Sequence, residues 1–393
     1  MKILILVDVP YVSPILAQTL TKTNTPVHKS NGVFIPFENG LNMMPDDRFS
    51  KIKLMKEQLL LTNSESVLTV LEEKQPHIDA LKYAKLFKNK AAFRRLVQDF
   101  FPNLFFKEVK LNEIEQFDPT VIQYPVIIKP SAGYSSFGVH RLNSVEDWYK
   151  TVPVLKKDIE KASSYYTSTV VDNQTLIIEK WLQGDEYAID AYYNANGEPV
   201  ILNMFKRMFA NENDVSDRIY YTSRQVILEV KDAIESFLHR LGEKLPLKNF
   251  PLHIEVRLDD ECNLAPIEVN PLRFAGIGTT DLGFYAYGEN MYEHLLNQTK
   301  PDWDKVVDRQ DNRIYSFFCA ELPQHLDYHA IDFIDERQFR SQFTELLDYR
   351  SIFSQHDKTF AVVFYQSENM DENERLLHLD LNQFVIEKRA MLV

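Results

Sequence analysis

Two alternating segments, Leu252-His-Ile-Glu-Val-Arg-Leu258 and Leu264-Ala-Pro-Ile-Glu-Val-Asn-Pro271, constrain this chain more than any other feature. Both show the period of two that marks a strand, and Asp259–Asn263 between them has turn composition, so the pair predicts an antiparallel hairpin. Leu252, Ile254, Val256 and Leu258 share one face of the first strand, leaving His253, Glu255 and Arg257 on the other. In the second strand Ile267 and Val269 alternate with Glu268 and Asn270. Folding the hairpin therefore brings Glu255, Glu268 and Asn270 to one polar face. Two carboxylates and an amide oxygen are the hard ligands that Mg²⁺ prefers, with phosphate oxygens and water filling its remaining positions. The plain alternative is a ribbon with one solvated face. The choice turns on whether the rest of the chain supplies a nucleotide.

The chain has 393 residues, 45% of them hydrophobic, enough for two or three domains with proper cores. A formal net charge of −13 and the lack of a basic tract argue against a nucleic-acid-binding surface. The first residues, Met1-Lys-Ile-Leu-Ile-Leu-Val-Asp8, are too short an apolar run for a signal peptide or a membrane span and read as a buried strand. No membrane association is expected, and a cytoplasmic location is. Cys262 and Cys319 are the only cysteines, with no metal-type spacing, so neither a disulfide framework nor a zinc site is indicated. Glycine is scarce, eleven in the whole chain, and six of these (Gly133, Gly138, Gly184, Gly276, Gly278, Gly283) lie beside the motifs discussed here.

Residues 1–85 alternate strand-like pieces (Ile3–Val7, Val33–Phe37) with helix-like ones (Ser13–Thr21, Ser64–Glu73), which suggests a small open α/β domain. It has no GxGxxG fingerprint, so a dinucleotide site is not expected there. The helix-like run Ala84–Phe100 carries Lys88, Lys90, Arg94 and Arg95, which in isolation read as a solvated face. Tyr124-Pro-Val-Ile-Ile-Lys129 then forms an apolar strand ending in lysine and runs into Pro130-Ser-Ala-Gly-Tyr-Ser-Ser-Phe-Gly138, with Val139–Leu142 as the return strand. Small and hydroxyl residues at such a tip can curl backbone N–H groups around phosphate oxygens, and Lys129 adds a fixed charge. A plain hairpin turn with an exposed lysine is the other reading. Further on, Leu176–Ile178 leads into the linker Glu179–Leu182 and, after Gly184, into a strand headed by Glu186. Such a linker can offer backbone groups to an adenine edge, with Trp181 and Leu182 walling the ring and Glu186 accepting from ribose hydroxyls. Trp181 as an ordinary core aromatic is the alternative.

In this order the pieces resemble the ATP-grasp superfamily over roughly residues 85–295. The Lys-Pro-Ser…Ser-Ser-Phe-Gly138 loop and the Glu-Lys-Trp-Leu-x-Gly-x-Glu186 linker look most like D-alanine–D-alanine ligases. Asn270-Pro-Leu-Arg-Phe-Ala-Gly276 looks more like carboxylate–amine ligases of the amino-acid-ligase kind. The resemblance implies an ATP-grasp fold: an N-terminal open α/β domain (1–85), an ATP-grasp domain (86–300) with a lid subdomain at about 115–182 and an antiparallel catalytic sheet, and a C-terminal α/β appendage (301–393). It implies ATP, with one or two Mg²⁺ ions or Mn²⁺ in their place. Lys90 and Lys129 would contact phosphates, and Ser135, Ser136 and Gly138 belong to the loop closing over them. Glu179, Lys180, Trp181 and Leu182 would frame the adenine, with Glu186 on the ribose and Lys206 near the nucleotide. Glu255, Glu268 and Asn270 would hold metal, and Arg273 would steady the transferring phosphoryl group or the substrate carboxylate. The implied activity joins a small carboxylic acid to an amine through an acyl phosphate, releasing ADP and phosphate.

The sequence departs from the D-alanine ligases at two places. His253 stands where they carry arginine, and Pro271-Leu-Arg-Phe-Ala-Gly276 replaces their Gly-Ser ending, so the acid and amine stay unassigned. Two other functions remain on the table: a nucleotide-binding regulatory protein without ligation, and a small-molecule kinase. Gly276–Gly288 can line an acceptor pocket or form a packing turn before a helix around Asn290–Gln298. Beyond residue 300 the sequence predicts strands at Arg313–Cys319 and Thr359–Phe364 and a helix at Asp335–Leu347, an appendage that caps the site or makes a homodimer. Asn211–Asp217 and Tyr165–Thr169 read as polar loops.

Overall fold

A computed structural model describes residues 3–30, 32–131, 138–162, 175–212, 214, 216–259, 261, 263–322, 326, 330–352 and 358–388. Ser135, Ser136, Cys262 and the expected loop Tyr165–Thr169 lie outside the described residues.

The apolar run at the start forms β1 (Ile3–Val7), which sits between β2 (Pro26–Lys29) and β4 (Leu59–Thr62) in a parallel sheet that β3 (Asn42–Met43) completes. Parallel strands are buried on both faces, which explains why Leu4, Ile5, Leu6 and Val7 show no alternation. Helix Pro14–Thr23 follows because Ser13 caps it, accepting from the Ile15 and Leu16 N–H groups, with Pro14 opening the first turn. The strand expected at Val33–Phe37 does not form. Pro36 lacks an N–H for a ladder, and the place is taken by β2, whose Val27 and His28 are buried.

The run Ala84–Phe100 is two helices, Asp79–Lys88 and Lys90–Val97. Asn89 divides them: its carboxamide oxygen accepts from the Ala92 N–H and from the Ser131 hydroxyl, while the Lys90 N–H donates to the Ser131 carbonyl. The second helix is thereby pinned to the end of the lysine-bearing strand. That strand, β6 (Val126–Pro130), belongs to a four-stranded antiparallel sheet in the order β5 (Phe106–Lys110), β8 (Thr175–Lys180), β6, β7 (His140–Leu142). Helix Val145–Ala162 covers it through Trp148, Val152, Leu155 and Ile159.

The central element is an eight-stranded antiparallel sheet. It comprises β9 (Asp185–Tyr193), β10 (Pro199–Arg207), β11 (Ile219–Thr222), β12 (Phe250–Leu258), β13 (Leu264–Pro271), β14 (Ile314–Glu321), β16 (Glu345–Ser351) and β17 (Thr359–Ser367). Its order is β13-β12-β9-β10-β11-β14-β17-β16. One face packs on helix Arg224–Lys244, whose Val226, Val230, Ile234 and Leu238 meet Leu252, Ile254 and Val256 in one core. The last strands thus extend the central sheet itself; among the described residues after 300, β15 (Ile331–Ile334) and β18 (Val385–Glu387) form a separate ribbon. Of the expected helix Asp335–Leu347, only Glu336–Arg340 is helical. Residues from Glu345 onward pair with β17 instead, a case of sheet pairing overriding a helical pattern.

Candidate active site

The predicted hairpin is β12–β13, and its register sets Glu255 opposite Glu268 and His253 opposite Asn270. A β-bulge follows directly, because Val256 pairs with Pro266 and leaves Ile267 unmatched. The bulge corrects one expectation. Ile267 does not join Val269 in the core but lines a cavity together with Glu255 and Glu268.

That cavity, about 1490 Å³, lies between the N-terminal sheet, the β5–β8 sheet and the central sheet. Lys90, Lys129, Glu179, Lys180, Trp181, Leu182, Glu186, Glu255, Glu268 and Arg273 all line it. Asn270 is buried beside Glu268, to which its amide donates at 3.1 Å. Gly138 has a φ of +68°, and a Cβ there would come within 3.0–3.1 Å of Pro130 and Leu155, so glycine closes the loop where it meets the lid core.

Charges alternate across the cavity floor. Lys90 Nζ lies 3.0 Å from Glu268 Oε2. Burial opposes the Lys90 ammonium, but Glu268 outweighs it and holds the lysine above its ordinary value. Burial would likewise raise Glu268, yet Lys90 and Lys88 hold its carboxyl well below the usual range. Glu255 is pushed well above it, first by burial and then by the negative charge of Glu268. Two half-buried carboxylates on facing residues call for a cation between them. Among the described residues no group of three or more His, Cys, Asp or Glu side chains is placed to hold a metal ion. The donor set is two carboxylates and an amide, all oxygen, which fits a hard divalent ion that keeps phosphate and water ligands.

Deeper in, Lys129 and Arg94 both pair with Glu179, Arg94 Nε at 2.8 Å, and Arg94 also donates to the Ile267 carbonyl at 3.0 Å. All three side chains are buried. Glu179 is held down at about 2: burial would raise it, but Arg94 and Lys129 prevail. Burial lowers the Lys129 ammonium, and Glu179 offsets part of that. Glu179 is therefore an internal counter-charge for Lys129 more than a frame for a base.

At the linker end, the Lys180 and Trp181 N–H groups donate to the Phe105 and Pro125 carbonyls, fixing the crossing from β8 to β9. The guanidiniums of Arg141 and Arg257 lie 4.4 and 4.8 Å from the Trp181 ring centroid. Arg257 also donates to the Leu182 carbonyl at 3.1 Å. Both oxygens of Glu186 carry an arginine, Arg207 at 2.8 Å and Arg257 at 3.1 Å. Lys206 is not brought to the cavity. It pairs with Asp185 and Glu229 on the face of helix Arg224–Lys244, and its neighbour Arg207 lines the cavity instead. Alternation along β10 makes those two positions exclusive.

Arg273 follows β13 and donates to Glu65 Oε1 at 3.0 Å, while Lys88 meets Glu65 Oε2 at 2.5 Å. Glu65, Arg94, Arg141, Arg207 and Arg257 were not expected here from sequence. Two of them carried a usable signal: Arg94, four residues after Lys90 on one helix face, and Arg257, on the polar face of β12 with Glu255. His253 is held by the buried Asp190 at 2.8 Å and lines the cavity next to Glu255.

With this geometry in place, the comparisons define a class. Residues 122–281 match the family model of the ATP-grasp domain. The chain has the ATP-grasp fold. An L-amino acid ligase from Bacillus licheniformis superposes with a TM-score of 0.66 at 13% identity, covering 99% of each chain. An N5-carboxyaminoimidazole ribonucleotide synthetase from Thermotoga maritima gives 0.63 at 11%, covering 98% of this chain and 99% of that one. A biotin carboxylase from Campylobacter jejuni gives 0.65 at 11%, covering 98% and 92%. No curated protein matches significantly by sequence. No helix among the described residues is long and apolar enough to cross a membrane.

Proposed function

We propose that this protein is an ATP-dependent ligase that joins a small carboxylic acid to an amine. The observation that carries the reading is the meeting, in one cavity, of the Glu255–Glu268 pair with Lys90, Lys129 and Arg273. A carboxylate is a poor electrophile, so an amine cannot displace its oxygen at a useful rate. Transfer of the γ-phosphoryl group to the acid forms an acyl C–O–P linkage and frees ADP. The amine then attacks the acyl carbon, and phosphate leaves as the amide forms.

In this reading Lys90 and Lys129 take phosphate oxygens, with Gly138 beside them, and Ser135 and Ser136 are further candidate donors to the phosphates. Lys180, Trp181 and Leu182 bound the base, with Glu186 acting through Arg207 and Arg257. Glu255, Glu268 and Asn270 hold Mg²⁺, which neutralises charge on the triphosphate when bound. Arg273 offers its planar fork to the acid or to the transferring group. The catalytic residues are thus Lys129 and Arg273. A domain boundary near residue 85 and a homodimer belong to the same reading.

The test is release of ADP and phosphate from Mg-ATP against a panel of amino acids and small carboxylic acids, singly and in pairs. Phosphate released only with a particular pair, together with an amide, is the expected result. ADP without free phosphate would mean a kinase. Tight nucleotide binding with no turnover for any pair would favour a regulatory protein.

A further inference from the structure

The segment that follows β4 joins the N-terminal domain to the reaction centre. The Thr62 N–H donates to the Leu272 carbonyl at 2.7 Å, and Thr62 and Arg273 form an isolated parallel bridge. The edge of the first sheet is thereby joined to the segment directly behind β13. Three residues after Thr62, Glu65 extends between two cations from two other elements: Lys88 at the end of helix Asp79–Lys88, and Arg273. Lys88 Nζ also lies 3.5 Å from the Asn270 carboxamide oxygen, so this group adjoins the expected metal ligands. Arg273 spends one terminal nitrogen on the Phe274 carbonyl and the other on Glu65, and its buried Nε has no partner among the described residues.

Resting on the ligase reading, we propose that Lys88 and Arg273 form an oxyanion subsite distinct from the triphosphate lysines, and that Glu65 is its positioning residue. Two half-buried cations repel each other more strongly than in water, and a carboxylate between them holds both at a fixed separation. One carboxylate between two cations leaves a single positive charge over, suited to one oxyanion. A carboxylate of the acid and the oxygens of a transferring phosphoryl group share that chemistry. Glu65 thus lowers ground-state attraction for anions while keeping both donors aimed for the transition state.

The probe is calorimetric titration of the full chain with inorganic phosphate and, separately, with acetate. Glu65→Gln keeps the shape and removes the charge. Expected is at least tenfold tighter binding of one of the two anions, a gain that Lys88→Met added to the variant takes away. Tighter phosphate assigns the subsite to phosphoryl oxygens, and tighter acetate assigns it to the acid. With an active substrate pair, kcat should fall at least tenfold while KM for ATP stays within twofold. Affinities for both anions within twofold of the unchanged protein would overturn the proposal, as would an unchanged kcat. If Glu65→Gln does not fold, Lys88→Met alone decides: phosphate or acetate should bind at least tenfold more weakly, and unchanged binding of both refutes the subsite. The titrations need no turnover, so a chain inactive with every pair would refute the ligase reading and leave this result separate.

Discussion

Glu179 holds two cations in a buried site, which makes the energetic order of two substitutions predictable. Arg94, Lys129 and Glu179 are exposed by only 2%, 4% and 4%. Removing one partner of a buried pair leaves an uncompensated charge and costs about 3–5 kcal/mol. Glu179→Gln leaves both cations facing a neutral amide, so the loss should sit at the upper end, about 5 kcal/mol. Arg94→Met removes one cation and leaves Lys129 matched to Glu179. Its cost is the Arg94 hydrogen bonds to Glu179 and the Ile267 carbonyl, about 2 kcal/mol. Equilibrium urea unfolding followed by tryptophan fluorescence, with Trp148 in the lid core and Trp181 at the linker, compares the two. The pH dependence gives a second sign. Burial already lowers the Lys129 ammonium, and loss of Glu179 lowers it further. An ammonium loses its charge as pH rises, so nucleotide affinity in Glu179→Gln should decline at a lower pH than in the unchanged protein. Arg94→Met as destabilising as Glu179→Gln, or more so, would refute the reasoning.

Glu268→Gln should leave the circular dichroism spectrum intact and reduce turnover about a hundredfold or more, in line with several kcal/mol of metal stabilisation; full activity would show that Glu268 holds no metal. Glu65 is depressed to about 2 because Lys88 and Arg273 together outweigh burial, which alone would raise it. A depressed carboxylate stabilises the fold above its unfolded value of 4.5 and loses that contribution as pH falls toward 2. With its side chain 30% exposed, the contribution is discounted to about 2 kcal/mol, so Glu65→Gln should flatten acid unfolding over that window. Arg350, from β16, meets Asp281 and Asp348 at 2.5 and 2.6 Å and the hydroxyls of Tyr11 and Tyr285 at 3.1 and 3.0 Å. Arg350→Met leaves Asp281 buried without a cation and should cost about 3–5 kcal/mol in the same urea assay; an unchanged midpoint would show that the network carries no stability.

What the sequence determined by itself was whatever local periodicity encodes. The alternation of Leu252–Leu258 and Leu264–Pro271 set the hairpin, because a strand has only two faces, but the register that runs from the Leu258–Leu264 pair would set Glu255 against Ile267, and it is the bulge that carries Glu268 across from Glu255. The same rule shows that Lys206 and Arg207 point opposite ways, but not which of them meets the cavity. That depended on helix Arg224–Lys244 covering the Lys206 face. A bulge moved Ile267, and Pro266, which lacks an N–H for the ladder, is the one residue there that hints at it. Glu65 and Arg273 lie 208 residues apart, and Arg94 meets Glu179 across 85. Such pairs are decided by how three sheets dock. Their energy comes from sharing a low-dielectric cavity, a property of the assembled tertiary structure that no local window of sequence contains.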